Sequence, residues 1–357
     1  MTKKIDPIRI GLVGLGRAGL GMHTVELKGK ERLFKIVAAC DLIKERRDTM
    51  AGTYGCKTYA RIEELIADPD VELVDIATRS CDHFRHALLA LKAGKIVFLD
   101  KPFGIDYNEA KKLAAAARTA RSPLFLRHNR RFGAAFNRVQ KVIASGVLGA
   151  VYDVRIEAGS YQRRNDWQAI KRFGGGLLNN WGPHLVDEAL QFLEAPVKQI
   201  TSDLKQVAAV GDTEDHFRIF LKGTNERTVQ LQVSNGTLIP TSRFIVHGTR
   251  GVVTVNAIET EMWLKYIDPR QTLRPIQADP STPGVKAAFG NAEKLRWIEK
   301  TIPIKSVAGM DGAQIWVALY EAIRLRKKFP ITMEGSLEVM RILSLAKKGQ
   351  KIKDWRG

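Results

Sequence analysis

The 357-residue chain carries 57 Lys and Arg against 38 Asp and Glu, a formal charge of +19, with 45% hydrophobic and 27% charged residues. That length exceeds one ordinary core and predicts two domains, and no apolar run reaches the roughly 18 residues that a membrane span needs. The basic surplus is spread along the chain, with clusters at 44–47, 127–131, 324–328 and 347–353, so it favours an anionic cofactor or substrate over nucleic acid. Cys40, Cys56 and Cys81 lack the spacing of a disulfide framework or a zinc site. With no charged-then-apolar leader in view, the expectation is a cytoplasmic protein without a metal.

Ile8–Val13 is a buried-strand pattern running into Gly14-Leu15-Gly16-Arg17-Ala18-Gly19, then a helical stretch. A second apolar run, Ile36-Val37-Ala38-Ala39-Cys40, ends on Asp41. G-x-G-x-x-G is a weak signal alone. Between a strand and a helix, with an acid about 20 residues on, it specifies a dinucleotide site. Gly14 permits the tight turn, Gly16 the approach of the pyrophosphate, and Gly19 close helix–strand packing, while Arg17 and Ala18 complete the loop. The Asp41 carboxylate suits both adenosine ribose hydroxyls and would repel a 2′-phosphate. Like charges about 4 Å apart cost on the order of 4 kcal/mol near a surface, so NAD is expected over NADP. Lys44, Arg46 and Arg47 read as the solvated face of the next helix.

Further apolar runs at 73–77, 96–99 and 124–126 read as strands, and the stretches at 61–67, 83–93 and 107–119 as helices. Continuous apolar strands joined by crossover helices predict a doubly wound parallel sheet, an α/β Rossmann domain over residues 1–127. Beyond it the texture changes. A helix at 135–145 leads to strands with period-two alternation at 217–221, 228–234, 244–247 and 252–255. These predict an α+β domain over 128–357 with a mostly antiparallel sheet. Residues 265–305 read as irregular, and two helices at 313–327 and 336–348 close the chain, with room to pack back on the first domain.

Two segments carry candidate chemistry. Asp100-Lys101-Pro102 follows a parallel strand at its carboxyl end, the edge where such sheets bind ligands. Gly174-Gly175-Gly176 leads through Asn180-Trp181-Gly182-Pro183 to His184. Pro183 suits a first helical turn and would leave Asn180 and His184 at the helix start.

These motifs together resemble the Gfo/Idh/MocA oxidoreductase family over nearly the full length. Gly14–Gly19 is similar to its fingerprint, 76–83 to its I-A-T-P-x-x-x-H segment and Asp100-Lys101-Pro102 to its E-K-P motif. Asn129-Arg130-Arg131-Phe132 is similar to the opening of its second domain, and 174–184 to its G-G-G-x-x-x-D-x-x-x-H motif. The resemblance implies an open second-domain sheet that forms homodimers or homotetramers, and oxidation of a sugar or cyclitol hydroxyl by NAD(P). It also implies Thr78, His83, Asp100 and Lys101 at the cofactor, with Lys101 beside the reacting hydroxyl and His184 as proton acceptor. That chemistry is sound: imidazole is poised near neutral pH, and an ammonium stabilises a developing alkoxide.

The sequence departs from the pattern at Arg79 (for Pro), Asp100 (for Glu) and Asn180 (for Asp). Without the carboxylate, His184 is expected to be less basic than in the usual site, and Asn180 to orient substrate hydroxyls as a third catalytic residue. Asp187, one turn further, reads as a surface or domain-contact acid. Arg130, Tyr161, Arg163, Arg164, Trp167 and Trp181 are candidate substrate contacts, with a uronate one way to use the basic surplus. Two other readings stay open: redox-assisted elimination or hydrolysis of a glycoside, and a sensor that has lost catalysis.

Overall fold

Six strands lie parallel: β1 (Ile8–Val13), β2 (Phe34–Cys40), β3 (Lys57–Tyr59), β4 (Leu73–Ile76), β5 (Ile96–Asp100) and β6 (Leu124–Arg127). Their order is β3-β2-β1-β4-β5-β6, the dinucleotide-binding arrangement with its switch point between β1 and β4. This computed structural model describes residues 6–120, 122–278, 280–282, 285, 293–305 and 311–356. The expected strands are present; β3, three half-exposed residues at the sheet edge, has too few apolar side chains to be read from sequence. Among the described residues, no helix is long and apolar enough to cross a membrane.

After the glycine loop the chain enters a π turn over Gly19–His23 before α-helix Thr24–Leu27. The wider turn directs His23 inward, where its Nδ1 lies 2.8 Å from Asp75 Oδ2 on β4, both side chains wholly buried. Beside it Arg127 donates to Glu26 Oε1 at 2.5 Å, and Trp316 Nε1 donates to Glu26 Oε2 at 2.8 Å. Trp316 belongs to helix Gln314–Leu325 and packs edge-on to His23, Phe34 and Phe98. That helix therefore seals the first domain, helped by the ion pair of Arg324 with Glu72. Removing one partner of a buried ion pair strands the other charge, at about 3–5 kcal/mol. Glu26→Ala is expected to lose that much stability, read as a lower denaturant midpoint of unfolding.

The second sheet has nine strands in the order β14-β13-β12-β11-β7-β10-β9-β8-β15. They are β7 (Val151–Gly159), β8 (Val197–Gln206), β9 (His216–Gly223), β10 (Thr228–Ser234), β11 (Phe244–Gly248), β12 (Gly251–Val255), β13 (Glu261–Ile267), β14 (Trp297–Pro303) and β15 (Lys353–Asp354). The sheet is mostly antiparallel, as expected, with parallel pairs β7–β10 and β8–β15. The segment read as irregular, 265–305, is corrected at both ends. Met262, Leu264 and Tyr266 alternate inward on β13, whereas β14 is a charged, largely exposed edge strand whose pattern looks like loop.

Register gives the sheet two unlike faces. Leu221, Val229, Val154, Val246, Val253 and Leu264 form one buried cross-strand row. The neighbouring row, Phe220, Gln230, Arg155, Ile245, Thr254 and Trp263, lies on the open face. Helix Gly182–Leu193 packs on the apolar face, with Pro183 in its first turn as the sequence predicts.

Candidate active site

The glycine loop has the shape of a phosphate cradle. Gly14 adopts φ +91°, and a Cβ there would meet the Ala77 carbonyl oxygen at 2.7 Å. A Cβ on Gly19 would overlap the Gly14 carbonyl oxygen. Over Gly16, by contrast, the only atom within 4 Å among the described residues is Arg46 Nη1 at 3.8 Å, so that side is open to a pyrophosphate. These features fit a dinucleotide. Gly19→Ala must displace the loop, and is expected to weaken NAD binding by about tenfold or more, ~1.4 kcal/mol, in a calorimetric titration.

Asp41 stands just past β2, its Oδ2 accepting from Leu15 N at 2.7 Å and its Oδ1 from Ile43 N at 2.9 Å. Each oxygen keeps a lone pair for a ribose hydroxyl. The expectation for the basic residues that follow needs correction. Lys44 is solvated beside Asp48, but Arg46 turns back to within 3.5 Å of Asp41 Oδ2, and Arg47 donates to the Asp41 carbonyl at 2.7 Å. Arginines on the first turn of helix Lys44–Tyr54 reach back over the preceding strand end, a contact that charge pattern does not reveal.

The two motif segments meet. Lys101, one residue beyond β5, donates from Nζ to Asn180 O at 3.0 Å and to Asn180 Oδ1 at 3.1 Å. Asn180 Nδ2 donates to Gln168 Oε1 at 3.0 Å. Asn180 therefore uses both ends of its amide to hold Lys101 against Gln168, a positioning contact beside the substrate role expected of it. It ends the short helix Leu177–Asn180, whose start is fixed by Glu214 accepting from Leu177 N (2.9 Å, backbone) and Leu178 N (3.0 Å, carboxylate). Gly176, at φ +103°, lies so close to the Glu214 carboxylate that no side chain fits there.

His184 follows on the next helix, edge-on to Trp181 with ring centroids 6.3 Å apart. Its Nδ1 is shut off from solvent with no hydrogen-bond partner among the described residues, so a ligand can reach the ring only through Nε2. Burial, reinforced by the charges of Lys101 and Arg130, holds His184 well below the ordinary imidazole value. Burial likewise pushes the Lys101 ammonium down, opposed by Asp100 and assisted by Arg127, Arg130 and Arg164. At neutral pH the imidazole is neutral, in line with the absence of the family carboxylate.

Asp187 is neither exposed nor available to His184: it is buried and takes two hydrogen bonds, each 2.7 Å, from Arg131. His83 is also corrected. It is fully buried, with Nδ1 2.8 Å from Pro102 O and Nε2 3.1 Å from Thr78 O. It ties the Thr78 loop to the Lys101–Pro102 turn, with both ring nitrogens against backbone carbonyls. Thr78 Oγ1 contacts His86 Nδ1 at 3.2 Å, and Asp100 accepts from Lys101 N at 2.9 Å with Arg127 at 3.6 Å. Arg17 is exposed at the loop and Ala18 half-buried beside it.

Of the candidate substrate contacts, Arg130 lies 4.5 Å over the Trp181 ring and 3.2 Å from Glu259. Arg164 pairs with Asp166 at 2.5 Å and shares a cavity with Asn180 and Gln168. Trp167 is half-buried in the turn that carries Gln168. Tyr161 and Arg163 are exposed past the end of β7, the former bridged to Gly236 outside the hydrogen-bonded cluster. Sequence reasoning missed Gln168 and Glu214, since a lone Gln after Trp167 and a Glu in a loop carry no motif. Arg79 fills the family proline's place by stacking 4.6 Å over Phe173, which Arg172 also covers at 4.7 Å.

Residues 8–128 match the model of an oxidoreductase family with an NAD-binding Rossmann fold, and 136–254 match the GFO/IDH/MocA C-terminal domain. An uncharacterized oxidoreductase of Escherichia coli, YdgJ, is 31% identical, with 95% of each chain covered. The scyllo-inositol 2-dehydrogenase (NADP(+)) IolW of Bacillus subtilis is 23% identical, covering 98% of this chain and 96% of its own. The solved oxidoreductase yvaA of B. subtilis superposes with a TM-score of 0.81 at 20% identity, covering 96% of both chains. The chain belongs to the Gfo/Idh/MocA family of NAD(P)-dependent oxidoreductases, with an NAD-binding Rossmann domain followed by the family's C-terminal domain.

Proposed function

We propose that the protein oxidises a secondary hydroxyl of a sugar, sugar acid or cyclitol, with Lys101 and His184 as catalytic residues. The observation that carries this reading is the Lys101–Asn180 contact. It fixes an ammonium at the carboxyl edge of β5 onto Asn180, which stands four residues before a neutral histidine. Gly14, Gly16, Gly19 and Asp41 would hold NAD, which supplies the hydride acceptor when bound. His184 Nε2 takes the hydroxyl proton as the carbon–hydrogen bond breaks and the carbonyl forms. Lys101 donates a hydrogen bond to the oxygen as negative charge develops there. Asn180 and Gln168 act as positioning residues that keep the ammonium aimed.

Incubation with NAD and a panel of cyclitols, aldoses and uronates should yield NADH and the ketone or lactone in equal amounts. Product without net NADH would instead support redox-assisted elimination. Tight NAD binding without turnover of any panel member would support a sensor.

NAD is proposed as the preferred nucleotide, because the Asp41 carboxylate just past β2 would repel a 2′-phosphate. Arg46 offsets part of that repulsion. Wild type is expected to favour NAD over NADP by about tenfold or more in kcat/KM, and Asp41→Ser, which leaves Arg46 unpaired, to lose the preference. An unchanged ratio would show that Asp41 does not set it.

The open sheet face, with Trp263, Ile245 and Phe220 in one row, supports a homodimer or homotetramer through that sheet. Sedimentation at the mass of a single chain would contradict it. The free thiols Cys40, Cys56 and Cys81 accord with a cytoplasmic setting.

A further inference from the structure

We propose that the substrate is anionic, and that Arg130 and Arg164 form a subsite for its carboxylate or phosphate. The inference rests on the dehydrogenase reading above and names the substrate class of that site.

Three cations converge on the space around Asn180. Lys101 bonds to it directly, Arg164 lines the same cavity, and Arg130 covers the Trp181 ring that stands edge-on to His184. The residue at their centre is an uncharged amide; Asp100 faces the lysine from behind, and Glu214 and Asp215 line the same cavity. The acids nearby are committed elsewhere. Asp215 accepts from the backbone N–H groups of Val207, Ala208 and Ala209. Glu214 faces Leu178 N, and Asp100 lies behind Lys101, toward the buried Arg127.

The arginines' own partners bind them weakly. Glu259 is divided between Arg130 and the buried Arg243, each 3.2 Å away, while Arg243 also holds Glu188. Asp166, the partner of Arg164, is 49% exposed, where solvent screens the pair. The result is a positive field at the reacting centre, consistent with Lys101 and Arg130 both disfavouring protonation of His184. Guanidinium groups bind carboxylate and phosphate in paired hydrogen bonds, and Arg130, 4.5 Å over the Trp181 ring, is held in place for one. A neutral sugar would leave that field uncompensated; an anionic one neutralises it.

The test is calorimetric titration of the NAD-loaded protein with D-glucuronate, D-glucose 6-phosphate and D-glucose. At least one anionic ligand is expected to bind about tenfold or more tighter than glucose, with the preference falling as salt rises. The stronger of the two identifies the group as carboxylate or phosphate. Arg130→Gln and Arg164→Gln should each reduce the preference, and Arg130→Lys and Arg164→Lys should retain part of it. Equal binding of all three, or binding of none, overturns the proposal. The dehydrogenase reading fails separately, if a ligand that binds to the NAD-loaded protein yields no NADH and neither does any other panel member.

Discussion

Lys101→Met is expected to lower kcat/KM for the proposed alcohol substrate by about 10²–10³-fold, the usual loss when one donor to a developing oxyanion is removed, while NAD binding is retained. The methionine fills similar space but cannot donate to Asn180 O and Oδ1 or to the substrate oxygen. A second readout separates this from a packing defect. Lys101 is, after burial, the largest influence depressing the basicity of His184. Its removal therefore raises the His184 pKa, and the acid limb of the residual kcat/KM profile moves to higher pH. A variant with reduced rate and an unmoved acid limb would place Lys101 away from the histidine. Steady-state kinetics across pH measures both.

His184→Gln is expected to cost about 10²–10⁴-fold, the range for loss of a general base. The pH dependence carries the sharper statement. His184 accepts a proton only when neutral, and its pKa is depressed, so it stays neutral as the pH falls through the ordinary imidazole value near 6.5. Wild-type kcat/KM should stay level through that value and fall only at more acid pH. Asn180→Asp places a carboxylate beside the imidazolium and favours it, moving the acid limb upward by about one pH unit or more. It also gives Lys101 a charged partner in place of an amide. Higher activity of Asn180→Asp on the same substrate, at an unchanged pH optimum, would contradict the role given to Asn180.

The parts of the molecule legible in sequence were those where local pattern and tertiary role coincide. Gly14, Gly16 and Gly19 are required by backbone geometry, and Asp41 by the end of a strand, so spacing identified them. Val229, Leu231 and Val233 alternate because one face of β10 is buried. What could not be read depended on long-range pairing. Arg131 meets Asp187 across 56 positions, and Trp316 meets Glu26 across 290, contacts that no window of sequence contains. Asn180 stands out by its motif, but its partners do not, because an amide can serve substrate, lysine or glutamine equally well until the fold chooses. His83 shows the converse error: a residue placed by motif at the cofactor, which burial turns into a brace between two loops. β14 was hidden because an edge strand with one side in water needs no apolar alternation.

In the proposed reaction, Lys101 and His184 flank one reacting hydroxyl at the carboxyl edge of the nucleotide-binding sheet. The most direct test of this arrangement is a crystal structure of the NAD-loaded protein with a substrate that it turns over slowly. One hydroxyl oxygen is expected about 3 Å from both Lys101 Nζ and His184 Nε2. A substrate whose reacting oxygen lies beyond hydrogen-bond reach of both would contradict it.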